Sequence, residues 1–140
     1  SGAATFRNLS EGFHERASET PEVEIVFEND GPLTRERGLN VAQDVLVAHP
    51  EVKGIYAGND EIALGAVQAV QSAGMGETVV VTGMNGVPPA VAAVKRGELG
   101  LTVELNPVVW GKLGVDTMAA YLDGTPPEQQ VFIEHRLIDN

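Results

Sequence analysis

The 140-residue sequence contains no cysteine, which excludes disulfide bonds and thiolate metal ligands. The three histidines (His14, His49 and His135) are isolated and show none of the spacings typical of a metal site. Walker-type loops and nucleophile elbows are missing, and "GMGETV" precedes an apolar run, whereas a dinucleotide-binding fingerprint must follow one. We therefore predict that the protein is not an enzyme, holds no metal and needs no cofactor.

Basic residues are also scarce. The sequence has nine Lys and Arg residues against 20 Asp and Glu residues, which gives a net charge of −11. A nucleic-acid-binding surface usually carries a basic stripe, so we predict that DNA and RNA are not partners. No apolar run is long enough to cross a bilayer. The opening "SGAATFRN" lacks the pattern of a signal peptide, so we expect that the protein is not exported or that the chain starts after such a segment.

Short apolar runs rich in β-branched residues predict the strands. They are "EIVF" at Glu24–Phe27, "GIYA" at Gly54–Ala57, "TVVVTGM" at Thr78–Met84, "LTVEL" at Leu101–Leu105 and a final "VFIEHRLI" at 131–138. Three of the first four runs are nearly continuous in apolar character. That pattern is typical of strands buried on both faces of a parallel sheet.

Helical spacing separates these runs. Apolar stripes occur near the start, after Leu33 and over 60–73. Pro88 or Pro89 is expected to open a helix that ends near Lys95, and Pro107 one that runs to Leu122. Alternation of this kind favours an α/β fold with a mostly parallel sheet. We predict one domain over 1–140, a three-layer α/β/α lobe of flavodoxin-like type.

Four predicted strands are followed within a few residues by asparagine, at Asn29, Asn59, Asn85 and Asn106. Ligands of open α/β sheets bind outside the carboxyl ends of the strands. A row of amides suits a neutral ligand rich in hydroxyl groups, and it suits a phosphate or a metal poorly. The alternative is structural, because asparagine also caps helices and stabilises turns. Asp60 is expected to cap its helix, and Asn29, in a Gly-Pro turn, is the weakest candidate.

A longer block, "GLNVAQDVLVAHPEVKGIYAGNDEIALGAVQAVQSAG", resembles the sugar-binding proteins of bacterial ABC importers, the ribose-binding-protein group. "VTGMNGVPPAVAAVKRGELGLTVELNP" and "GKLGVDTMAAYLDG" continue the likeness over nearly the whole chain. The resemblance implies the second of two hinged lobes, with the last hinge crossing near 104–107, an absent first lobe, an ABC permease as partner and a periplasmic or extracellular location. Effector domains of lactose-repressor-type regulators share this fold and are the alternative.

The resemblance also implies contacts. Asn59 matches the position of the family's sugar-binding Asn, Asn85 stands where the family usually has Asp, and Glu104 stands where Gln is common. Replacing a carboxylate by an amide weakens a hydrogen bond that would have been charge-assisted. Glu104 restores one acceptor charge.

Three further positions depart from the pattern. Leu9 stands where an Arg normally contacts the sugar, Arg7 lies two residues from that register, and Leu33 replaces a ring-stacking aromatic. Leu9 also fits a plain core role, since it lies on one stripe with Phe6 and Phe13. The site implied is less polar than usual, so a sugar alcohol, a deoxy sugar or a similar carbohydrate-like solute is expected before an ordinary pentose or hexose.

The predicted helix 107–124 packs on the first lobe in this family. Its apolar residues Val109, Leu113, Val115 and Met118 therefore need another cover in this chain. The expected covers are the missing lobe, a partner chain in a homodimer, or a different docking on this lobe.

Overall fold

A computed structural model describes residues 4–125 and 134–139. This part of the chain contains five helices and four strands, which are α1 Ala4–Ser18, α2 Arg35–Ala48, β1 Gly54–Tyr56, α3 Asp60–Ser72, β2 Val80–Asn85, α4 Pro88–Lys95, β3 Leu101–Glu104, α5 Pro107–Leu122 and β4 Arg136–Asp139. From α2 onwards, helices and strands alternate as the sequence predicts. The α/β class is confirmed.

The strands form one sheet in the order β1-β2-β3-β4. β1, β2 and β3 run parallel, and β4 returns antiparallel beside β3. The prediction of a mostly parallel sheet is confirmed. The final strand begins at Arg136 rather than 131, since Glu134 and His135 are not in a strand and residues 131–133 lie outside the described part.

The hydrophobic core lies on one face of the sheet, under α3 and α4. Leu99, Val81 and Val94 are among its largest fully buried side chains. α2 packs against α3 at very close range, because Gly38 and Gly65 leave no side chain between the two backbones. This layer fixes the helix that follows β1 and, through it, the loops at the carboxyl ends of the strands.

The opposite face of the sheet is only partly covered. Ile55 packs against the core, so its neighbour Tyr56 points to the other face, where the Phe13 ring of α1 stacks on it at 4.7 Å between centroids. α1 contains no buried residue, and Val80 on β2 is 57% exposed. The expectation of strands buried on both faces is wrong here. Burial in β2 alternates instead, because little packs on the second face.

The predicted first strand, Glu24–Phe27, is also wrong. Residues 23–34 form an irregular connection between α1 and α2, and none of the backbone hydrogen bonds found among the described residues joins Glu24–Phe27 to β1. A β-prone run becomes a strand only when a neighbour completes its hydrogen-bond ladder. Side chains hold the connection instead: His14 contacts Glu28 at 2.7 Å, and Arg37 donates to the Asn29 side chain.

α5 begins at Pro107, as predicted, and buries none of its residues among the described part of the chain. Val115, Met118, Tyr121 and Leu122 are each more than half exposed. What covers this apolar helix stays a prediction. Within the ranges 4–125 and 134–139, every helix is too short or too polar to cross a membrane.

Candidate functional site

The carboxyl ends of the three parallel strands meet at one edge of the sheet. β2 ends at Asn85 and β3 ends at Glu104, and these two residues are direct partners in the strand register. Asn59 is the third residue after the end of β1, which is the neighbour of β2. The structure therefore brings Asn59, Asn85 and Glu104 to the same edge, which is where open α/β sheets bind their ligands.

Asn59 is the N-cap of α3. Its backbone is extended, and its side-chain Oδ1 accepts a hydrogen bond from the Ile62 N–H at 2.9 Å. The sequence expectation that Asp60 caps this helix is wrong, because a cap must lie outside the helical backbone and Asp60 is the first helical residue. The cap uses the Asn59 oxygen, so its amide NH₂ is the part suited to donate to a ligand.

Asn85 has an unusual backbone. Its φ is 126°, and Gly86 follows with a φ of 70°. A side chain at Gly86 would lie only 2.9 Å from the Glu104 Cα, so glycine is required at this close approach. Asparagine tolerates positive φ better than most residues, yet such conformations typically cost about 1–3 kcal/mol and persist only where the surroundings enforce them.

Two buried polar residues enforce this loop. Asp60 and Thr102 are both 0% exposed. The Thr102 hydroxyl donates to Asp60 Oδ1 at 2.7 Å and accepts from the Gly86 N–H at 3.2 Å, while Asp60 Oδ2 accepts from the Val87 N–H at 2.8 Å. Sequence reasoning missed this role for both residues. "GND" and "LTVE" contain both groups, but only the fold shows that they meet.

Glu104 is paired with a residue that the sequence analysis did not single out. Arg136 Nε lies 3.0 Å from Glu104 Oε2, and the two residues oppose each other across β3 and β4. They border an open depression of about 450 Å³ whose lining also includes Asn106, Glu134 and His135. The register of β4 supplies Arg136, and no sequence spacing indicates that register.

Asn106 lies beside this depression and caps α5. It has a left-handed backbone with φ 43°, and its Oδ1 accepts a long hydrogen bond of 3.4 Å from the Val109 N–H. Its side chain is exposed and lines the same depression as Glu104. A ligand contact by Asn106 stays a prediction.

The remaining predicted positions lie around this edge or away from it. α1 reaches the edge, since a Cβ added at Gly58 would lie 3.9 Å from the Phe6 ring. On α1, Leu9 is half-buried and Arg7 is exposed. Leu33 is 38% exposed in the connection before α2. Their predicted roles as ligand contacts stay predictions.

The edge offers amide donors and the carboxylates of Glu104 and Glu134, of which Glu104 is paired with Arg136. Such groups bind neutral polar ligands through several hydrogen bonds. Within the described residues, no group of three or more His, Asp or Glu side chains is arranged to hold a metal ion. The fold and this edge together are typical of α/β domains that bind ligands outside the carboxyl ends of their strands.

Comparison with known proteins gives the family. Residues 1–126 match the family described as "Periplasmic binding protein domain", and the chain belongs to this family. It is 34% identical over 137 residues to the ribose import binding protein RbsB of Salmonella typhimurium, covering 98% of this chain and 46% of the relative. It is 36% identical to the D-allose-binding periplasmic protein of Escherichia coli over 118 residues, which are 84% of this chain and 37% of the relative.

Solved structures agree. A periplasmic solute-binding protein from Actinobacillus succinogenes with bound D-allose superposes with a TM-score of 0.93 at 28% identity, covering 99% of this chain and 49% of that one. The myo-inositol-bound protein from Caulobacter gives a TM-score of 0.81 at 28% identity, covering 93% and 45%. The chain thus spans about half the length of the relatives it matches.

Proposed function

We propose that this chain forms one half of the binding site of a solute-binding protein that serves a bacterial ABC importer. The observation that carries the proposal is the direct pairing of Asn85 with Glu104 at the strand ends, with Asn59 following the neighbouring strand. Relatives are named for ribose and D-allose import or binding, which supports a carbohydrate or polyol as the solute. These relatives are transport proteins, so transport is favoured over the effector domain of a regulator and over catalysis.

The proposed ligand is a neutral polyhydroxylated molecule. Asn59 donates from its amide NH₂, Asn85 donates and accepts, and Glu104 accepts on the carboxylate oxygen that Arg136 does not hold. Arg136 offsets the charge of Glu104, while the Glu134 carboxylate lines the same depression. A sugar alcohol or a deoxy sugar fits these donors and acceptors, since it needs few charge-assisted hydrogen bonds.

The proposed mechanism is closure of two lobes around the solute. A ligand that touches both lobes at once favours the closed state by its differential affinity. The second lobe would come from the rest of a longer protein and would also cover the exposed apolar residues of α5. A homodimer through α5 is the competing arrangement, and docking to a permease in the periplasm or outside the cell completes the proposal.

Amide NMR of this chain, titrated with D-ribose, D-allose, myo-inositol and a deoxy sugar, tests the proposal. We expect saturable shifts at Asn59, Asn85 and Glu104 with millimolar affinity, because half of the contacts are present. N85A should abolish these shifts. N40A, which removes an exposed asparagine on α2, should leave them unchanged.

Three results would contradict the proposal. If no compound of the panel shifts the amide signals, or if N85A and the unmodified chain give identical titrations, the proposed carbohydrate site is wrong. Sub-micromolar binding by this chain alone would contradict the two-lobe mechanism, because no second lobe would be needed. Sedimentation of the same sample decides the homodimer, which requires a mass of twice 14.8 kDa.

A further inference from the structure

Asp60 and Thr102 are the polar or charged side chains that the described residues bury completely, each with 0% exposure. One lies in the first turn of α3 and the other in β3, 42 residues apart in sequence. A buried carboxylate is costly unless every oxygen is well bonded. The bonds that satisfy it indicate what this pair does.

These hydrogen bonds connect Asp60 and Thr102 with the loop at the end of β2, residues 85–87. Asp60 Oδ2 accepts from the Val87 N–H, and Oδ1 accepts from the Thr102 hydroxyl. Because the hydroxyl proton is given to Asp60, the Thr102 oxygen is oriented to accept from the Gly86 N–H. Two consecutive backbone donors of this loop are therefore held by one connected network.

The backbone makes room for the network. A Cβ added at Gly83 would lie 2.4 Å from Asp60 Oδ1, so the carboxylate occupies space that only glycine leaves open. The loop it holds begins with the positive φ values of Asn85 and Gly86. Conformations of this kind persist where surrounding bonds enforce them. A role confined to starting α3 would require neither Thr102 nor the contacts to the loop.

We propose that Asp60 and Thr102 are positioning residues for the ligand site. They fix residues 85–87 before the ligand arrives, so that Asn85 is presented beside Glu104 without a further ordering cost. This inference rests on the proposed function, in which Asn85 contacts the ligand. Preorganisation of this kind raises affinity because the free energy of ordering has already been spent in folding.

The decisive variants are T102V, which keeps the shape and removes the hydroxyl, and T102S, which keeps the hydroxyl. V94A is the matched control. Val94 is a fully buried residue of α4, so its truncation should destabilise the fold, and its side chain makes no hydrogen bond to the loop. All are studied as the 140-residue chain. If T102V does not fold, D60N replaces it, since its amide keeps the volume and turns one acceptor into a donor.

Two NMR readouts are measured without ligand: the three-bond HN–Hα coupling of Asn85, which reports φ, and amide hydrogen exchange at Gly86 and Val87. The third is the affinity for whichever of D-ribose, D-allose or myo-inositol binds best. T102V removes both hydrogen bonds of the Thr102 hydroxyl, so it should change the coupling, speed the exchange and weaken binding about tenfold. T102S should restore all three, and V94A should lower the melting temperature with the loop and the affinity unchanged.

Unchanged coupling and exchange in T102V would overturn the positioning role. Equal weakening of binding by V94A and T102V would also overturn it, since general stability would then explain the effect. If no sugar binds the unmodified chain, the proposed function fails. The ligand-free coupling and exchange still decide whether Asp60 and Thr102 set the loop.

Discussion

The close packing of α2 on α3 makes a sharp prediction for Gly65→Ala. A Cβ at this position would lie 2.1 Å from the Arg35 carbonyl oxygen and 2.6 Å from the Leu39 backbone nitrogen. Both obstacles are backbone atoms, so no side-chain rotation relieves them. The two helices would have to separate by roughly 1 Å, because non-bonded heavy atoms approach no closer than normal contact distance.

That separation opens the interface on which α3 depends. Overpacking of a core typically costs about 1–3 kcal/mol or more, and a clash with rigid backbone lies at the upper end. The higher helix propensity of alanine offsets about 1 kcal/mol of this loss in the free energy of unfolding. The net expectation is a loss of about 2 kcal/mol in the free energy of unfolding, or roughly 8 °C in melting temperature for a domain of this size.

Gly111→Ala and Gly114→Ala on α5 are the matched controls. A Cβ at either position meets nothing within 4 Å, so only helix propensity changes. Each should stabilise or leave stability unchanged, by up to about 1 kcal/mol. Thermal and urea unfolding followed by circular dichroism measure all three variants. If G65A is as stable as G111A, the close approach of α2 and α3 is not present in solution and the reasoning fails.

Two further predictions concern the core and the second face of the sheet. Leu99→Ala should cost about 2–5 kcal/mol in urea unfolding, because Leu99 is 0% exposed, while Val47→Ala at 84% exposure should stay within about 0.5 kcal/mol; equal losses would contradict the assigned core. Burial raises the pKa of the Tyr56 phenol above its ordinary value of 10.0, so its contribution to stability is present below that pH and is lost as the pH rises through the raised pKa. Phe13→Ala removes the ring stacked on Tyr56 and should lower this pKa towards 10.0, as followed by NMR titration of Tyr56, and an unchanged pKa would show that α1 does not lie on the sheet.

Much of the fold could be predicted from local pattern. Helical spacing with Pro88 or Pro89 predicted the start of α4 to within one residue, Pro107 predicted the start of α5, and β-branched runs predicted β1, β2 and β3 to within two residues. Local chemistry also located the strand-end asparagines, because strands, turns and caps are encoded by neighbouring residues. The parallel sheet then followed from alternation alone, and with it the edge that carries Asn59 and Asn85.

Tertiary structure decided the rest, because it depends on contacts between residues far apart in sequence. Glu24–Phe27 has a strand-like composition but no ladder partner among the described residues. Only the register of β4 brings Arg136 to Glu104. Only the packing of α3 on the sheet brings Asp60, which looks like a helix cap in the sequence, to its buried hydrogen bond with Thr102 of β3. The sequence by itself determined which groups stand at the strand ends, and the fold determined which of them are hydrogen-bonded, ion-paired or exposed at the edge, because those relations depend on distant residues.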